Sequence, residues 1–185
     1  MKRVLVAAFA LVSMSASAQK GSVLLYGNLN VVSVKDGGSS FGINPGVGYQ
    51  FNDNWTAGVD LGVNSWSKER SGLGESVTGF KGGLFARYTK TLSNIFSIYG
   101  QGNVDFLSRQ NITGTDALPK GSGVGVNLFP AVFVNVKNGF GLNFDFGGIG
   151  FNTYKPKGGT SGSAFNLNFG QTFNVGVSKN FGKRK

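Results

Sequence analysis

The sequence predicts an all-β fold: an eight-stranded antiparallel up-and-down transmembrane β-barrel, preceded by an N-terminal signal peptide. Apolar residues recur at every second position through much of the chain, with Gly, Asn, Gln and Thr between them. That is the period of a half-buried strand, not of a helix. The connections between these runs alternate between tight turns and longer polar loops, the asymmetry of a barrel threaded through a membrane. No segment beyond Val12 is apolar for long enough to be a spanning helix.

The first eighteen residues read as an export signal. Lys2 and Arg3 precede the apolar run Val4–Val12, and small residues then end in Ala16-Ser17-Ala18, an A-x-A cleavage pattern before Gln19. The apolar run is about half of the ~20 residues a spanning helix needs. Residues 1–18 are therefore expected to be removed and residues 19–185 to form one barrel domain, with no cysteine to carry a lipid.

A weak alternation over 22–35 opens the barrel. Two clear runs follow: Phe41, Ile43, Pro45, Val47, Tyr49, Phe51, and then Trp55, Ala57, Val59, Leu61, Val63. Weaker runs over 76–89, 95–108 and 122–136 supply strands four to six. Phe140, Leu142, Phe144 and Phe146 mark the seventh, and Phe165, Leu167, Phe169, Gln171, Phe173, Val175 and Val177 the eighth. The runs, at about 12–14 residues, exceed the roughly 9–11 needed to cross hydrocarbon when tilted. Asn52-Asp53-Asn54, Thr91–Asn94 and Lys137-Asn138-Gly139 have the composition of tight turns. Ser67–Glu75, Arg109–Gly121 and Thr153–Gly162 are expected as long loops on the other side, joined there by the short Asp36–Ser39.

The second face of the strands carries Gly, Asn, Gln and single charges, which suits a cramped polar lumen better than an open aqueous surface. The Phe, Leu and Val set is then expected to face lipid. Aromatic residues gather at the strand ends as two expected girdles. Tyr49, Phe51, Trp55, Tyr88, Phe140 and Phe181 lie near the short turns or the C-terminal end, and Phe41, Trp66, Phe106 and Tyr154 near the long loops. The strand charges mostly take the polar phase, and pairing strands outward from their turns sets Asp60 and Asp105 level with Lys81. A lumenal ion-pair cluster is expected there, Asp60–Lys81–Asp105, with Arg87 and Asp145 as further members, because buried charges need partners.

Composition excludes much chemistry. The chain has 185 residues, 31 of them Gly, and no Cys or His, so thiolate and imidazole catalysis have no residue to use. The net charge of +10 falls to +8 without Lys2 and Arg3, and its remainder is scattered along turns and the C-terminus. No nucleic-acid face follows from it. No carboxylate cluster has calcium-loop spacing, and Gly121-Ser122-Gly123-Val124-Gly125 lacks the Lys-Ser/Thr of a phosphate loop. No cofactor and no metal is expected. Lys155 and Lys157 stand out in a loop as possible contacts for lipopolysaccharide phosphates.

The segments Val47-Gly48-Tyr49-Gln50-Phe51, Gly82-Gly83-Leu84-Phe85-Ala86-Arg87-Tyr88 and Phe173 to Phe181 resemble the small outer-membrane barrels of Gram-negative bacteria. With the start Gln19-Lys20-Gly21-Ser22, the mature chain is similar to the porin-like "outer membrane protein beta-barrel domain" family common in Bacteroidetes, of OmpA/OmpX-like architecture. The resemblance implies insertion by the barrel-assembly machinery, which reads an alternating C-terminal strand; here Gly182-Lys183-Arg184-Lys185 follows the terminal aromatic. It also implies an outer-membrane location, with termini in the periplasm and long loops outside. Barrel enzymes of the lipid A and phospholipase types use a catalytic histidine, which this chain lacks, so no activity carries over. The expected role is structural or surface-interacting: envelope integrity, adhesion, or service as an accessory subunit of an envelope complex. A narrow porin-like channel and a secreted soluble β-barrel or sandwich binding module are the alternatives.

Overall fold

The computed structural model of the chain describes residues 21–34, 38–70, 73–113 and 120–182; the expected export signal at 1–18 and Lys183-Arg184-Lys185 lie outside these. Eight strands close a barrel in sequence order, each antiparallel to its neighbours. They are β1 (Val23–Val34), β2 (Gly38–Gln50), β3 (Trp55–Arg70), β4 (Leu73–Thr91), β5 (Phe96–Thr113), β6 (Gly121–Lys137), β7 (Phe140–Pro156) and β8 (Gly162–Phe181).

Side-chain chemistry closes the tight turns. Asn52 Oδ1 accepts the N–H groups of Asn54 (2.9 Å) and Trp55 (2.8 Å), and Ser93 Oγ accepts those of Ile95 (3.3 Å) and Phe96 (3.0 Å). These bonds hold the chain in a turn where a helix or strand would otherwise compete. Asn138 and Gly139 link β6 to β7 with φ of 50° and 78°, the positive pair that matches a hairpin to the right-handed twist of its strands.

At the other end the strands run further than the alternation suggests. Most of Ser67–Glu75, expected as a loop, is strand: β3 and β4 stay in register up to Arg70↔Leu73. Likewise β5 reaches Thr113 and β7 reaches Pro156. The amino-acid sequence of these extensions has no two-residue apolar period, yet the backbone ladder continues through them.

Most of the large apolar set faces outward: Leu29, Leu61, Leu84, Phe106 and Phe165 are each at least 60% exposed. An uncovered belt of that size is the surface a bilayer covers. Not all of the set does so. Phe85, Tyr99 and Phe133 are buried inside, with Phe129 packed on the last two.

Strand β7 changes phase midway. Phe140 and Phe146 point outward from even positions, Ile149 and Phe151 from odd ones, so the double glycine Gly147-Gly148 absorbs one extra residue as a β-bulge. Gly147 has φ of 93°, and the register jumps here from Asp145↔Asn174 to Gly147↔Phe169. The β6 ladder breaks opposite, between Leu128 and Ala131, where Pro130 has no N–H to give. A Cβ at Gly147 would lie 2.0 Å from the Asn168 carbonyl oxygen. Gly147→Ala is expected to destabilise the barrel by about 2–4 kcal/mol through backbone strain and overlap, read as a lower urea midpoint in vesicles. An unchanged midpoint would mean that the bulge relaxes freely.

Candidate functional site: the lumen and its outer vestibule

The lumen-facing residues divide into a packed inner half, toward the short turns, and an open outer half. Arg87 on β4 lies at the centre of the inner half, 5% exposed. Its Nε donates to Gln101 Oε1 at 2.8 Å. Its guanidinium lies 4.1 Å from the Tyr99 ring centroid, 4.9 Å from Tyr26 and 5.9 Å from Phe85, so three π-faces replace water around the charge. Tyr26 meets Phe85 edge-on at 5.2 Å. Gln101 Nε2 donates to Tyr26 Oη (3.2 Å) and Asn103 Oδ1 (3.0 Å), Tyr26 Oη donates to Asp60 Oδ2 (3.2 Å), and Asn103 Nδ2 donates to the same Asp60 oxygen. On the far wall Tyr99 Oη donates to Asn143 Oδ1 (3.2 Å), whose Nδ2 donates to Ser178 Oγ (2.9 Å). The network therefore reaches from β1 to β8 and fills the inner half of the lumen.

Immediately above it Lys81 Nζ lies 3.9 Å from Asp60 Oδ2 and 3.9 Å from Asp105 Oδ2. At that range the ammonium is shared between the two carboxylates. Both aspartates are 3% exposed at the side chain, Lys81 25%. The Oδ1 atom of each carboxylate is buried without a hydrogen-bond partner among the described residues, so Lys81 is the nearby charge that offsets their burial. The other two residues expected in this cluster stand apart from it. Arg87 connects to Asp60 only indirectly, through Gln101 and then Tyr26 or Asn103, and Asp145 accepts Asn174 Nδ2 at 2.8 Å across β7 and β8. Sequence reasoning missed Tyr26, Gln101 and Asn103. Their one signal was position: all take the phase of a buried arginine that must find partners.

The outer half is a vestibule of about 930 Å³, walled by amides of Asn28, Asn44, Asn64, Asn152 and others, with Lys81 on its floor. Arg109 stands at its side with its guanidinium 4.8 Å from the Tyr154 ring centroid. Tyr154, expected in the outer girdle, takes the lumenal phase instead, because the Gly147-Gly148 bulge shifts every later residue of β7 by one.

The remaining girdle positions face outward. Tyr49, Phe51, Trp55, Tyr88, Phe140 and Phe181 are 42–51% exposed at the short-turn end, and Phe41, Trp66 and Phe106, expected near the long loops, are exposed as well. Trp55 and Tyr88 are register partners in edge-to-face contact at 5.2 Å. Lys120, Lys155 and Lys157 are exposed on one rim at the other end, where the Lys157 N–H donates to the Lys120 carbonyl at 2.6 Å. Among the described residues no group of three His, Cys, Asp or Glu side chains is placed to hold a metal ion.

The profile of the family described as "Outer membrane protein beta-barrel domain" matches residues 4–181. No curated protein sequence matches the chain. Among solved structures, Neisserial surface protein A superposes with a TM-score of 0.55 at 16% identity, covering 87% of this chain and 97% of its own. A major outer membrane protein from Thermus thermophilus gives 0.47 at 13% identity, with 87% and 99% covered. The N-terminal barrel domain of Pseudomonas aeruginosa OprF gives 0.44 at 13%, with 88% and 98% covered. The first of these likenesses concerns the fold.

Proposed function

Because the chain belongs to the outer membrane protein beta-barrel domain family, and so is an integral protein of the outer membrane, we propose that it is a non-conducting structural barrel whose outer hairpins make surface contacts. The observation that supports this is the filled inner lumen: Arg87, Gln101, Tyr26 and Tyr99 leave Gln101 only 1% exposed. A narrow diffusion channel would need a continuous wet path where these side chains lie. We assign no catalysis, since the lumen offers neither imidazole nor thiol. In planar bilayers the purified barrel is expected to add no conductance steps; regular steps from the unmodified protein would replace the structural reading with the channel.

Lys155 and Lys157, with Lys120 beside them, are proposed to hold lipopolysaccharide phosphates, since exposed ammonium groups above an aromatic ring lie where those phosphates lie. Lys155→Glu with Lys157→Glu is expected to weaken lipopolysaccharide capture by about tenfold at low salt, and by less as salt rises. Equal capture by the variant would remove these lysines from the role. Strand β8, with Phe181 outward at its end, is proposed as the segment the barrel-assembly machinery reads, and an envelope protein as a surface partner.

A further inference from the structure

The barrel is zipped unevenly. Strand β1 pairs with β2 along its whole length, Val23↔Tyr49 to Val34↔Gly38, but with β8 only from Val23↔Phe181 to Asn28↔Gly176. From Leu29 onward the β8-facing edge of β1 has no register partner among the described residues. On the opposite side of this seam Gly170–Phe173 of β8 are also unpaired with β7, lying between Gly147↔Phe169 and Asp145↔Asn174. The opening is at membrane depth, for Val31 is level with Phe41 of the outer girdle. Open backbone edges at that depth are tolerated only where they line a water-filled cavity or meet another partner.

The vestibule reaches this seam. Its lining includes Leu29, Val31 and Val175, which belong to the lipid-facing phase, together with the lumenal amides. One cavity therefore joins an apolar doorway at the bilayer to a polar chamber. The charges inside are already engaged: Lys81 by two aspartates, Asp145 by Asn174, and Arg109 against Tyr154. The side chains of Asn30, Asn64 and Asn152 make no hydrogen bond among the described residues, and amides both donate and accept.

We propose that the vestibule binds an amphiphile that enters sideways from the outer leaflet through the β1–β8 seam, its uncharged hydroxyl- or amide-bearing head among Asn30, Asn64 and Asn152 and its alkyl chain along Leu29, Val31 and Val175. The inference rests on the outer-membrane placement and not on the envelope role, so either can fail alone.

The test uses the chain in phospholipid nanodiscs, with side-chain amide NMR as the readout and 1-monolauroylglycerol, glycerol and laurate as probes. Monolauroylglycerol is expected to shift the Asn30, Asn64 and Asn152 resonances, and glycerol at equal concentration is not. Extending the register places Leu29 opposite Val175, and the natural chain has no cysteine. Leu29→Cys/Val175→Cys can therefore close the seam with a disulfide while leaving the lumenal amides unchanged. Oxidation is expected to weaken monolauroylglycerol binding by about tenfold or more, and reduction to restore it. Three results overturn the proposal: no amide shifts, equal shifts from glycerol, or full binding through the locked seam. Tighter binding of laurate would overturn the uncharged head. Leu25→Cys/Lys179→Cys, a register pair in the zipped half, serves as the cross-linking control with an unaltered vestibule.

Discussion

Lys81→Met is expected to destabilise the folded barrel by about 3 kcal/mol at neutral pH. Removing one partner of a buried charge group leaves the others uncompensated, at roughly 3–5 kcal/mol, and the quarter exposure of Lys81 places the effect at the lower end of that range. The variant keeps the lumen filled, because methionine is nearly as long as the lysine stem, so the loss reports charge and not packing. What remains is two carboxylates whose buried Oδ1 atoms already have no hydrogen-bond partner among the described residues. Adding Asp105→Asn should recover more than half of the loss, since a neutral amide removes the repulsion that Lys81 offset. The measurement is urea unfolding in vesicles, followed through Trp55 and Trp66. If Lys81→Met unfolds at the wild-type midpoint, water in the vestibule already screens the aspartates and the cluster is three solvated charges.

Arg87→Ala is expected to cost about 3–5 kcal/mol and to open the inner lumen. It deletes a guanidinium that touches three rings, leaves Gln101 Oε1 without its donor, and empties a volume that neighbouring strands cannot collapse to fill. Arg87→Lys should restore less than half of the stability, because an ammonium has no flat face to lie on Tyr99. In planar bilayers Arg87→Ala should show small conductance steps that the unmodified barrel lacks. A variant that is destabilised yet silent would place the block elsewhere, with Phe85, Phe129 and Phe133 as the next candidates.

Much of this was legible because a membrane barrel writes its rules at short range. The two-residue period places each side chain on one of two faces, and turns such as Asn138-Gly139 mark where the chain reverses. Counting outward from those turns sets Asp60, Lys81 and Asp105 at one level, and their side chains do meet in the lumen. Counting failed on β7, where Gly147-Gly148 reads as part of an ordinary alternation yet adopts a bulge, so that Tyr154 turns inward to Arg109. It failed again over Ser67–Glu75, where paired strands carry no apolar stripe and read as a loop.

The amino-acid sequence by itself determined the number of strands, their order, which face meets lipid and which chemistry is absent, because each of these follows from local periodicity or from a residue count. Only the tertiary structure decided who meets whom inside. Tyr26, Arg87, Gln101 and Asn143 come from four different strands, and their contacts exist only once the barrel has closed and brought opposite walls together. The unequal seam between β1 and β8 has the same origin. Its two edges are the most distant strands in the chain, and the number of ladder pairs they form depends on the bulges and strand lengths accumulated around the whole circumference.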